Sequence, residues 1–157
     1  MKHTIQALVE NRFGVLARVS SLFSARGYNI TSLAVGETAD PTISCMTIVV
    51  NAEDERILEQ IKKQLNKLID VITVNDFTHK EYVERELILA KLPAGKNCEE
   101  ILAPAVNKGD IKIVEKNKNF CIIEACSERH KIEEILKELK KVEVTELVRT
   151  GKIAIGK

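Results

Sequence analysis

The sequence predicts an α+β chain made of two tandem βαββαβ units, each an antiparallel sheet with two helices on one face. Three observations lead there. Segments with apolar residues three and four apart separate strand-like segments, each half contains one direct strand–turn–strand connection, and the same order of elements occurs twice. The helical segments argue against an all-β sandwich, and the direct connections argue against a purely parallel, doubly wound sheet. The 157 residues then divide into 1–77, a polar joint at 78–84 and a second unit at 85–157, in place of one medium-sized domain.

Each element has its own signal. Residues 3–9 alternate as a half-buried strand. Val15, Leu16, Val19, Leu22 and Phe23 share one face of a helix that should stop at Arg26-Gly27. Strands are expected over Tyr28–Glu37 and Thr42–Val50, joined by the turn Thr38-Ala39-Asp40-Pro41. Asp54 is the expected cap of a helix with the stripe Ile57, Leu58, Ile61, Leu65 and Leu68, and a strand from Val71 to about Phe77 closes the unit. The second unit runs from a strand at Glu86–Leu92 through the break Pro93-Ala94-Gly95 to a helix at Cys98–Asn107, stopped by Lys108-Gly109. Strands follow at Ile111–Val114 and Phe120–Cys126, then a helix capped by Ser127 and carrying Ile132, Ile135, Leu136 and Leu139. The last strand is expected at Val142–Val148, with a short tail after it. Apolar residues on both faces of the strands at 30–50 lead us to expect pairing or docking through the sheet.

Composition narrows the function. Residues 1–80 carry nine basic and nine acidic side chains and the remainder fifteen and fourteen. Neither half has the basic excess that would concentrate nucleic acid or anionic lipid. Six aromatic residues with no Trp make a poor stacking platform for bases. No apolar run approaches the ~18 residues of a membrane span, and no export signal opens the chain, so a cytoplasmic protein is expected. Cys45, Cys98, Cys121 and Cys126 form no C-x-x-C pair and read as reduced, packed thiols. His3, His79 and His130 lie far apart, and no zinc-protease, nucleophile-elbow, P-loop or dinucleotide-binding motif occurs. No catalytic residue and no metal ligand is therefore assigned. A thiol enzyme using Cys45 or Cys126 would need a base or charged neighbour that the sequence does not place beside them.

One constellation remains. Glu10-Asn11-Arg12-Phe13-Gly14-Val15-Leu16 joins a strand to a helix start, where unpaired N–H groups and a partial positive charge suit a carboxylate. Glycine lets a ligand reach the backbone, and an asparagine amide can accept from an ammonium or donate to a carboxylate. Gly27-Tyr28-Asn29-Ile30 places a second amide beside an apolar side chain at the helix's other end. By residue type alone, a turn glycine and two capping asparagines would look the same.

Longer runs resolve the ambiguity. Residues Asn11 to Val19, Leu22 to Leu33, Met46 to Val50, Gln60 to Val71 and Val83 to Leu87 resemble the regulatory (small) subunits of acetolactate synthase, also called acetohydroxyacid synthase. The likeness is strong over 2–92 and continues in length and element order. It implies an N-terminal ACT domain and a C-terminal ferredoxin-like domain. It also implies a chain without catalysis of its own, acting in valine, leucine and isoleucine biosynthesis. The catalytic large subunit would hold thiamine diphosphate, FAD and Mg²⁺; this chain would hold no cofactor, activate that subunit and make it sensitive to valine. Valine would lie between paired ACT domains of a homodimer, touching Asn11 and Gly14 of one chain, with Val15 adjacent, and Asn29 and Ile30 of the other. Cys45 stands where the family usually has arginine, which puts a charged contact from that strand in doubt. A free-standing ACT amino-acid sensor acting on another enzyme or regulator is the alternative.

Overall fold

A computed structural model of the chain describes residues 2–52, 55–94 and 96–157, with backbone only for 96–101. In chain order the elements are β1 (Lys2–Glu10), α1 (Val15–Ser24), β2 (Ile30–Glu37), β3 (Ile43–Asn51), α2 (Glu55–Leu65) and β4 (Val71–Asp76). There follow β5 (Tyr82–Pro93), α3 (Lys96–Asn107), β6 (Lys112–Lys116), β7 (Phe120–Ser127), α4 (Arg129–Leu139), β8 (Glu146–Arg149) and β9 (Ile153–Gly156). The expected α+β architecture with two antiparallel sheets is the one observed. Two compact units result: Met1–Val83 with Lys152–Lys157, and Glu84–Gly151.

In the first unit the strand order is β2-β3-β1-β4. Alternation along β1 sends Ile5, Ala7 and Val9 to the helix-covered face, opposite Ile48, Met46 and Ser44 of β3. Val15, Val19, Leu22 and Phe23 from α1 and Leu58, Ile61 and Leu65 from α2 complete that core. The register is well specified, because a slip of one residue would turn Ile5, Ala7 and Val9 outward. Gly27, at φ +68°, ends the helical segment as expected, with Arg26 Nη1 donating to Leu22 O at 3.3 Å. Strand β2 begins only at Ile30, because Tyr28 still packs edge-on against Phe23 and donates its N–H to Phe23 O. The proposed cap, Asp54, lies outside the described residues.

Both faces of β3 are buried, and the chain itself supplies part of the second cover. Thr4, Thr47 and Val49 point away from the helices, yet each is buried. Lys152 N–H donates to Ser32 Oγ (3.0 Å), Lys152 Nζ to Thr4 Oγ1 (3.3 Å), and Gln6 Nε2 to Ala154 O (2.9 Å). Lys152 also lies over the Tyr82 ring, 5.6 Å from its centroid. The tail forms β9, paired with β5, whose first residues Tyr82 and Val83 belong to this same unit. The boundary between the units, Val83/Glu84, falls within the expected joint at 78–84, whereas the last six residues, expected in the second unit, join the N-terminal one.

Asp76 ends β4 in a small polar network. Its Oδ1 accepts from Thr78 Oγ1 (2.6 Å) and Thr78 N–H (2.9 Å), and Lys62 Nζ lies 3.4 Å from Oδ2. Burial raises the carboxyl's pKa, but the Thr78 donors and the Lys62 ammonium outweigh it and hold the group below the ordinary carboxylate range. A depressed folded-state pKa contributes stability that is complete above the unfolded value of about 3.9 and is lost as pH falls through the folded value. Asp76→Asn should therefore flatten the acid limb of stability below about pH 4, measured by urea unfolding at successive pH values; an unchanged limb would exclude the network.

In the second unit the strand order is β6-β7-β5-β8. Ile88, Ala90, Leu92, Ile123 and Ala125 meet Leu102, Ile132, Ile135 and Leu139 in the core. Two expectations are corrected here. Ser127 ends β7 and does not cap α4; Glu128 is the N-cap residue without a side-chain bond, and the Arg129 N–H is taken instead by Glu84 Oε1 at 3.2 Å. A carboxylate distant in sequence thus does the work expected of an adjacent hydroxyl. The last strand of this unit is short, Glu146–Arg149; Val142 and Val144 lie before it in irregular chain, half-buried against the core.

Candidate effector site

Asn11 leaves the end of β1 with its N–H bonded to Thr42 O (2.7 Å), which ties the β1–α1 loop to the β2–β3 turn. Its Nδ2 donates to Glu37 Oε1 (3.0 Å) and to Pro41 O (2.9 Å). Both amide hydrogens are thus committed within the chain, and Oδ1 is the group it offers as an acceptor. Of the two roles open to Asn11 from sequence, accepting from an ammonium fits this orientation; capping α1 does not, since no side chain caps that helix. Asp40 builds the turn that presents Pro41 O: Thr42 Oγ1 and N–H both bond its Oδ1 (2.6 and 2.9 Å). The Thr42 hydroxyl, then its backbone N–H, hold that carboxyl below its ordinary range.

Gly14 is the N-cap of α1 at φ +80°, a left-handed conformation that glycine adopts without strain. The first turn carries no acidic side chain, and the N–H groups of Leu16 and Ala17 have no acceptor within the helix. A Cβ on Gly14 would come within 3.3 Å of Arg18 Nη1. Arg18 is held there by Asp70, whose buried carboxylate accepts from Arg18 Nε at 2.8 Å while its carbonyl accepts Glu10 N–H at 2.8 Å. Val15 is a core residue, its side chain buried with Val19, Leu22 and Phe23.

The second pair lies elsewhere in the chain. Asn29 is exposed and Ile30 half-buried at the start of β2. Between Gly14 and Asn29 runs the ten-residue α1, about 15 Å long at 1.5 Å per residue. One chain therefore does not bring all the expected contact residues together. Strand β2 nevertheless links them, with Ile30 at one end and Glu37, the partner of Asn11, at the other.

Glu37, Pro41, Arg18 and Asp70 escaped the sequence reading. Only Arg18 carried a usable signal, standing four residues after Gly14 on the same helix face. Cys45 on β3 is half-buried beside Gln6, and burial pushes its thiol up more than the Gln6 hydrogen bond lowers it, which opposes thiolate chemistry. Among the described residues no three His, Cys, Asp or Glu side chains are grouped to hold a metal, and no helix is long and apolar enough to cross a membrane.

Comparison with known proteins places both units. Residues 5–73 match the family model described as an AHAS small subunit-like ACT domain, and residues 85–157 the one described as the small subunit of acetolactate synthase. The acetolactate synthase small subunit of Mycolicibacterium smegmatis is 44% identical over 99% of this chain and 91% of its own length. A probable acetolactate synthase small subunit of Archaeoglobus fulgidus is 43% identical over 99% and 96%. The crystal structure of the acetolactate synthase small subunit from Thermotoga maritima superposes with a TM-score of 0.89 at 34% identity, covering 100% of this chain and 98% of that one. With a first unit matched as an ACT domain and a second matched over 85–157, the chain belongs to the family of acetolactate synthase small, regulatory subunits.

Proposed function

We propose that this chain activates the catalytic subunit of acetolactate synthase and imposes feedback inhibition by valine bound between two N-terminal units. The carrying observation is the position of β2. It is an edge strand, eight residues long and without Pro or Lys to blunt it. Antiparallel pairing of two such edges about a two-fold axis between Leu33 and Ala34 sets Ile30 of one chain against Glu37 of the other. That brings the second chain's Asn29 and Ile30 toward the Asn11–Gly14 turn, which is the pairing that one chain lacks.

The chemistry suits a zwitterion with a branched side chain. The open N-terminus of α1 takes the carboxylate, worth up to about 2 kcal/mol in a partly buried setting. Asn11 Oδ1, oriented by Glu37 and Pro41, takes the ammonium. Burial of the isopropyl group against Ile30 adds about 1.5–3 kcal/mol, giving a reversible site of roughly micromolar to millimolar affinity. Valine, leucine and isoleucine differ by a methylene, worth about 1–3 kcal/mol, so discrimination among them is modest. Catalysis, with thiamine diphosphate, FAD and Mg²⁺, is assigned to the catalytic chain.

Reconstitution tests the reading. Mixed with its catalytic chain, this protein should co-elute with it, raise its turnover, and lose that gain as valine is added. Asn11→Ala should weaken valine binding by calorimetry about tenfold, the loss of one hydrogen bond to a charged group. Neither co-elution nor a rise in turnover, with valine still bound, would favour a free-standing sensor.

A further inference from the structure

We propose that the effector site reads both charges of an amino acid, with Glu37 contacting the ammonium and Arg18 the carboxylate, and thereby rejects the α-keto acid of the same carbon skeleton. The assignment deepens the function proposed above and rests on it. Valine and its α-keto acid share a carboxylate and an isopropyl group, so the helix start and Ile30 meet both alike. They differ where a carbonyl oxygen replaces the ammonium. A sensor of the finished amino acid has to tell them apart, because transamination interconverts the two. Glu37 supplies the difference. It ends β2 beside the Asn11 amide, and its Oε1 accepts from Asn11 Nδ2 at 3.0 Å. The other acids around the turn are engaged: Glu10 pairs with Arg12 (3.2 Å), Asp70 with Arg18 (2.8 Å), and Asp40 Oδ1 accepts both Thr42 donors. Among the described residues Glu37 has no cation against it and no hydrogen bond beyond that to Asn11. One of its oxygens orients the amide, and the other is left for an ammonium resting on Asn11 Oδ1.

Exposure does not disqualify this carboxylate. Glu37 is exposed in one chain, but the β2 pairing proposed above sets Ile30 of a second chain against it. Covered in that way, its attraction for an ammonium is less screened by water and salt. An α-keto acid would instead turn a carbonyl oxygen toward Asn11 Oδ1 and the Glu37 carboxylate, three acceptors with no proton among them. Arg18 stands at the other side of the turn. The buried Asp70 carboxylate fixes its Nε at 2.8 Å, and Nη1 lies 3.3 Å from the point a Cβ on Gly14 would occupy. The guanidinium makes no other hydrogen bond among the described residues, which leaves its Nη donors for a carboxylate at the helix start. Asp70 cancels the net charge, so Arg18 contributes directed donors while the helix start contributes the field. Glu37 on β2 and Arg18 on α1 thus fix the ligand's direction across the Asn11–Gly14 turn, ammonium toward the strand and carboxylate toward the helix.

The test is binding of isotopically labelled valine to the full chain by equilibrium dialysis at neutral pH, with valinamide and the α-keto acid of valine as competitors. Valinamide lacks the carboxylate, and the keto acid lacks the ammonium. The wild type should bind the keto acid about a hundredfold more weakly than valine. Glu37→Gln keeps an oxygen for Asn11 and removes the charge. It should weaken valine and valinamide about tenfold each and leave the keto acid unchanged, narrowing the preference. Arg18→Lys keeps a cation for Asp70 and loses the fork. Valine and the keto acid should then each weaken about tenfold, and valinamide should not. A keto acid that competes as well as valine in the wild type overturns the proposal and leaves the valine site standing. So does a Glu37→Gln chain whose preference for valine over the keto acid is undiminished. An Arg18→Lys chain that loses valinamide as much as valine has only a structural defect, and overturns the carboxylate contact. A wild-type chain that binds no valine overturns both this assignment and the proposed function.

Discussion

A Gly14→Asp chain is expected to fold, to activate the catalytic subunit, and to have lost its response to valine. The backbone there sits at φ +80°, where a non-glycine residue costs about 1–2 kcal/mol, with aspartate among the better-tolerated residues. Its Cβ would come within 3.3 Å of Arg18 Nη1, the mobile end of a long side chain. A carboxylate at that point meets the guanidinium and the partial positive charge of the helix start, which offsets much of the strain. The same placement puts a fixed negative charge where the effector's carboxylate is proposed to lie. Losing the helix-start attraction and adding like-charge repulsion should raise the valine dissociation constant at least about a hundredfold. Calorimetry of the isolated chain checks this, and urea unfolding confirms that the fold persists. Gly14→Ala separates strain from charge. Without a carboxylate it should lose far less affinity, and an alanine variant as damaged as the aspartate one would make the effect steric. Unchanged valine binding by Gly14→Asp would remove the helix start from the site.

Deleting Lys152–Lys157 is expected to loosen the N-terminal unit, although the deleted residues lie at the opposite end of the sequence. The deletion removes the donors and acceptors meeting Ser32, Thr4 and Gln6 and uncovers part of that sheet face. We expect destabilisation on the order of 2–3 kcal/mol, from re-exposed apolar surface and lost hydrogen bonds. Hydrogen exchange gives the decisive localisation. Amides of β1 and β3 should lose protection by roughly a hundredfold, while those of β5 and β7 beyond Glu84 should keep theirs. Equal loss in both units would mean that the tail supports the whole chain. A fragment cut at the joint, lacking the tail, should share the defect.

Periodicity carried most of the fold. Val15, Val19, Leu22 and Phe23 revealed α1, and the alternation of Ile5, Ala7 and Val9 revealed β1, because each pattern follows from burying one face of a single element. Errors arose where a partner came from far along the chain. Ser127 looked like a cap, but Glu84 fills that place for Arg129. Val142 and Val144 looked like a strand, but they pack on the core in irregular chain before it.

The candidate site divides along the same line. Sequence alone determined the architecture, the family, and the Asn11–Gly14 turn with the Asn29–Ile30 step, because these depend on local backbone chemistry and on long runs of residue identity. Only the tertiary structure decided that Glu37 and Pro41 orient Asn11, that Asp70 holds Arg18 over Gly14, and that the final six residues belong to the first unit. These are contacts between residues 26 to 148 positions apart. A polar side chain shows no period and no local preference that would announce such a partner. The partner emerges only when packing of the apolar faces sets the strands in register.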